Sequence, residues 1–103
     1  MNKKAIRSEF RNTVFKRDGN KCCFCDIKEN LDAHHITDRN EMPNGGYVKE
    51  NGISLCETHH LMAEKFHITQ GKEWESNFHP DDLYKRIKSS KDFAIQQSLK
   101  LKA

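Results

Sequence analysis

Two ligand pairs, Cys22-x-x-Cys25 and Cys56-x-x-His59, constrain this chain more than any other feature of it. Thiolates and imidazoles spaced two residues apart on a turn can reach the same ion, and zinc in closed sites takes four such ligands in a tetrahedron. If Cys56 opens a helix, its separation from His59 places both side chains on one side of that helix. The long insert between the two pairs must then be folded in its own right. The remaining cysteine, Cys23, stands too close to Cys25 for the usual two-residue knuckle and reads as a small packed side chain.

A staple of this kind suits a chain of 103 residues, 35% hydrophobic and 32% charged, which predicts one domain over residues 1–103 with a small core. Disulfides would be the other staple. The opening Met1-Asn2-Lys3-Lys4 leads into a mixed-charge segment instead of the apolar stretch an export signal requires. No run is long enough to cross a membrane. The expectation is a cytoplasmic protein in reducing surroundings, where paired cysteines point to metal. A formal charge of +3 admits a phosphate-rich partner without demanding one.

Ile6, Phe10 and Val14 recur at helical spacing, which predicts an amphipathic helix over Lys4–Lys16, ended by Asp18-Gly19-Asn20. Leu31–Ile36 and Asn51–Leu55 read as short strands, with a long polar loop from Thr37 to Glu50 between them. Cys56–His67 reads as a helix packing through Leu61, Ala63 and Phe66. Gly71 is a helix stop, and Lys72–Phe78 is expected to form one short helix. Pro80-Asp81-Asp82 then starts a final one, whose apolar stripe is broken and whose tail is basic through Lys100 and Lys102.

Inside the four-ligand frame lie His34-His35 and Asn51, and His60 follows the last ligand directly. Together with Arg17-Asp18-Gly19-Asn20-Lys21-Cys22, Leu31-Asp32-Ala33-His34-His35-Ile36 and Asn51-Gly52-Ile53-Ser54-Leu55-Cys56, this pattern resembles the HNH endonuclease family, a branch of the ββα-metal (His-Me finger) nucleases. The resemblance spans about residues 10–67, and the chain departs from it at His59, where many zinc-stapled members carry a fourth cysteine. It implies an α+β fold with a small ββα-metal core and a structural zinc, flanked by an N-terminal helix and by a basic helical extension over about 72–103.

It further implies a metal-dependent DNA endonuclease. His35 would be the general base, a role open to histidine because its ordinary pKa lies near neutrality. His34 and His60 would hold a catalytic divalent ion, Mg²⁺ or another such as Mn²⁺ or Ni²⁺, while Cys22, Cys25, Cys56 and His59 hold Zn²⁺. Two roles are open to Asn51: orienting the base and its loop, or sitting on the metal. Glu64 and His67 follow His60 at one-turn intervals, so either is a possible third ligand, a hydrogen-bond partner behind the ligands, or a solvated bystander. Neighbours in a regular strand point to opposite faces, so His34 and His35 serve one site only if the strand ends or bulges there. With only one of them in the site, His35 is the choice.

The partner would be DNA, most simply a duplex, reached through phosphate contacts from Arg7, Arg11, Lys16, Arg17 or Arg39. Two alternatives differ in class: a zinc-finger-type module that binds nucleic acid and catalyses nothing, and a nuclease subunit of a larger phage or restriction assembly.

Overall fold

The computed structural model describes residues 2–101, so Met1 and Lys102 of the readings above lie outside the described residues. The fold is α+β, with four helices and a two-stranded antiparallel sheet in the order α1 (Lys3–Arg17), β1 (Asp32–His35), β2 (Gly52–Leu55), α2 (Glu57–Ile68), α3 (Pro80–Arg86) and α4 (Lys91–Leu99). No helix among the described residues is long and apolar enough to cross a membrane.

Helix α1 starts where the Asn2 side chain accepts from the Ala5 N–H, and buries Ile6, Phe10 and Val14 against the sheet. β1 and β2 pair in the register His34 with Ile53 and His35 with Gly52, and every residue of β2 is buried. α1 comes so close at Gly52 that a Cβ there would stand 2.5 Å from Val14 Cγ2 and 2.7 Å from Phe10 Cε1, which is why this position carries glycine. Ile36, Ile53, Leu55, Ala63, Leu83 and Ala94 form the centre of the remaining core.

The junction of α1 with β2 is pinned by polar groups. Arg17 grips Asp18 through two 2.8 Å hydrogen bonds and also donates to the backbone oxygens of Lys49 and Gly52. Asp18 accepts from the Ser54 N–H at 2.9 Å. Burial on its own would raise the Asp18 carboxyl, but the bonds from Arg17 and Ser54 outweigh it and hold the group below its ordinary value. A carboxyl lowered in this way stabilises the fold above its unfolded pKa of about 4, and that contribution is lost as pH falls through the lower folded value. Asp18→Asn is therefore expected to cost about 1–3 kcal/mol at neutral pH. In urea melts the gap from wild type should close progressively below about pH 4. A gap independent of pH would remove the carboxylate charge from the account.

The long loop contains three short 3-10 turns, Arg39–Glu41, Pro43–Gly46 and Lys49–Asn51, so Asn51 ends the loop and Gly52 begins the strand. Three expectations are corrected beyond the metal-ligand region, the first being the packing of Leu61, which is 65% exposed and leaves Ala63 as the buried residue of α2. Residues 72–78 form turns and no helix, and Thr69 organises the approach to them through bonds with Glu73. The last helix is two helices. Lys88 takes a left-handed backbone conformation (φ 59°), and Ser90 caps a new start by accepting from the Phe93 N–H.

Candidate metal centres

Cys22 and Cys25 occupy the turn after α1, Cys56 is the N-cap of α2, and His59 sits in the first turn of that helix. Ligand atoms of all four lie within 4.8 Å of one another. The Cys25–Cys56 sulfurs are 3.8 Å apart, and Cys22 Sγ is 3.5 Å and Cys56 Sγ 3.2 Å from His59 Nδ1. A zinc tetrahedron with bonds of about 2.3 Å to sulfur has S···S edges of about 3.8 Å. A disulfide would need roughly 2 Å. The four residues thus suit a metal such as zinc.

The backbone favours a thiolate at Cys22. Burial would raise the Cys22 thiol, but backbone N–H groups of Cys56, Phe24 and Cys25 aimed at its sulfur hold it below the ordinary value. The turn is fastened to β2 by the Cys23 N–H bonding to the Ser54 oxygen at 3.0 Å. Cys23 itself lies outside the ligand group, and burial together with the nearby Asp18 charge pushes its thiol up to about 12. Phe24 stacks on Phe78 at 4.3 Å with the Arg86 guanidinium over its other side at 3.9 Å, and both aromatic rings lie along His59.

A second group gathers His34 from β1 with His60 and Glu64 from α2, their ligand atoms again within 4.8 Å of one another. Glu64 Oε1 stands 3.2 Å from both His34 Nδ1 and His60 Nε2. The contact to His34 is close but misaligned for hydrogen bonding, which leaves buried Nδ1 without a partner. Two imidazoles and a carboxylate converging on one point, one of them otherwise orphaned, fit a divalent cation. The His34 and His60 imidazoles, each 3.2 Å from Oε1, hold Glu64 ionised far below the usual carboxylate range. Burial lowers His34, whereas the Glu64 hydrogen bond raises His60. On its far side His60 Nδ1 lies 3.2 Å from Asp32 Oδ2, so a carboxylate stands behind this imidazole, as it does behind many metal-binding histidines.

This group opens onto a cavity of about 290 Å³, also lined by His35, Asp38, Arg39 and His67. β1 ends at His35, so both neighbours reach the cavity although only His34 joins the ligand group. The His35 ring stacks on Phe10 at 4.5 Å and meets the Tyr47 ring edge-on at 4.8 Å. Burial, with the charges of His34 and Arg39, drops His35 to about 4 and leaves it neutral at pH 7.

Asn51 is fully buried. Its Oδ1 accepts from the Thr37 N–H (3.0 Å) and the Tyr84 hydroxyl (2.7 Å), and its Nδ2 donates to the oxygens of Thr37 (3.1 Å) and Gly46 (3.2 Å). With its donors and acceptor so engaged, Asn51 clamps the loop. Gly46 makes the clamp possible, because a Cβ there would lie 2.7 Å from Nδ2.

Three neighbours of the site escaped the sequence reading or were left open by it. Asp32 shares a strand face with His34 by two-residue alternation, a signal that was available. His67 is two turns from His60; its Nε2 lies 2.9 Å from the His35 oxygen and its ring stacks on His34 at 5.2 Å. Tyr47 sits in an aperiodic loop, and no local pattern announces it. Among the phosphate-contact candidates, Arg17 is engaged by the fold and Arg11 lies over the Phe15 ring at 4.9 Å. Compared with family models, curated proteins and solved structures, the chain matches none.

Proposed function

We propose that this protein is a metal-dependent DNA endonuclease of the HNH type, built on a ββα-metal core and held together by zinc. The observation that carries the reading is the division of ligands into two sets. One is closed and sulfur-rich, and the other is oxygen- and imidazole-bearing beside an open cavity. The succession β1, β2, α2, with His34 and His35 on the first strand and His60 on the helix, supports it.

His34, His60 and Glu64 would hold a divalent ion such as Mg²⁺, Mn²⁺ or Ni²⁺, which when bound supplies positive charge to a phosphate oxygen and to the departing 3′ oxygen. His35, neutral at pH 7, accepts the proton of the attacking water. Phe10 and Tyr47 fix its ring plane, and His67 holds the end of its strand. Asp32 steers His60.

The test is cleavage of supercoiled plasmid with Mg²⁺, Mn²⁺ or Ni²⁺, alongside the metal content of the purified protein. The expected result is nicked or linear product that depends on added divalent ion, with one zinc per chain surviving dialysis and a second, exchangeable site. A single zinc and no cleavage with any of the three ions would overturn the nuclease reading and leave a zinc-bearing binding module.

A further inference from the structure

We infer that the cavity between the first turns of α1 and the loop after β1 is a phosphate subsite, which grips a nucleic-acid strand at a phosphodiester flanking the one that is cut. The inference rests on the nucleic-acid reading above and adds a binding site to it. The cavity measures about 310 Å³ and is lined by Lys3, Arg7 and Arg39, with Asn40, Asn44 and Tyr47 among its other walls and no carboxylate. Among the described residues none of the three cations has a carboxylate within ion-pair distance. Like charges facing one cavity repel, and an anion between them converts that repulsion into attraction.

The cations are positioned as well as gathered. Tyr47 stands between two of them, with the Arg7 guanidinium 5.8 Å from its ring centre and Arg39 Nη1 donating to its hydroxyl across 3.4 Å. That single long bond leaves the other N–H groups of Arg39 for a ligand. Lys3 lies in the first turn of α1, which carries no acidic residue, so the positive end of the helix adds to its charge. Asn40 adds a neutral side-chain amide to this lining, and amides of that kind serve phosphate oxygens. Arg39 borders both this cavity and the one beside His34, His60 and Glu64, so a strand leaving the metal group passes into the subsite.

The test measures binding without chemistry: fluorescence anisotropy of a labelled duplex oligonucleotide over a range of NaCl concentrations, with no divalent ion added. Lys3→Ala/Arg7→Ala is compared with wild type and with Lys28→Ala/Lys72→Ala, which removes the same charge from exposed positions outside the cavity. Each phosphate contact contributes about 0.9 to the slope of log affinity against log salt, so the first variant should be less steep by about 1–2. The control should keep the wild-type slope. An unchanged slope in Lys3→Ala/Arg7→Ala, an equal loss in the control, or no salt-dependent binding by wild type overturns the subsite. Salt-dependent binding lost in the variant by a wild type that never cuts plasmid would leave the subsite standing and remove the nuclease.

Discussion

Cys56→Ser is expected to abolish the folded state or lower its melting temperature by roughly 15–30 °C, read by circular dichroism together with zinc content. Structural zinc contributes about 10–16 kcal/mol of apparent binding free energy in small domains, and much of that is folding free energy. Losing even about 4 kcal/mol of it shifts the melting point of a domain this size by the range given. Cys56 stands at the N-cap position of α2, supplies a sulfur 3.8 Å from Cys25, and is buried in the core. Chelation of the wild type should reproduce the effect, and returning zinc should reverse it. A melting temperature unmoved by both treatments would take zinc out of the structural account.

The second large effect concerns His35. His35→Ala is expected to slow plasmid cleavage by about 10²–10⁴-fold at saturating divalent ion, the usual contribution of a general base. Because the ring packs between Phe10 and Tyr47, its removal also loosens the site. His35→Asn, which keeps a planar polar group, separates the two effects: it should melt near wild type and still fail to cut. Since burial holds His35 at about 4, its basic form is present throughout the neutral range. Cleavage by wild type should accordingly show no loss near pH 6.5 attributable to this residue. Full activity in either variant would move the role of base elsewhere.

How much of this was legible beforehand differs by the range of the interactions involved. Helix α1 was readable because Ile6, Phe10 and Val14 carry its periodicity locally, and the four-ligand group because its two spacings are local signals that one ion unites. The split between α3 and α4 was not, since it depends on Lys88 accepting a left-handed backbone that a glycine or asparagine would have advertised. The turn-rich stretch 72–78 likewise hid among residues with ordinary helix preference. In the site, the strand alternation that cast doubt on sharing a cleft between His34 and His35 is sound, but the strand stops at His35. The partners of Asn51 lie in the loop and in α3, far along the chain, so its neighbour Gly52 alone pointed only to a turn.

The Tyr84 hydroxyl on Asn51 joins the last third of the chain to the histidine loop. Tyr84 also meets Thr37 at 2.7 Å, and Ser89 and Asn44 tie the same region to the loop through the oxygens of Glu50 and Ser98. The helices after Gly71 carry no candidate ligand, yet they close the frame in which the ligands stand. A chain shortened at that point would keep every metal-binding side chain and lose the buttress that aligns them.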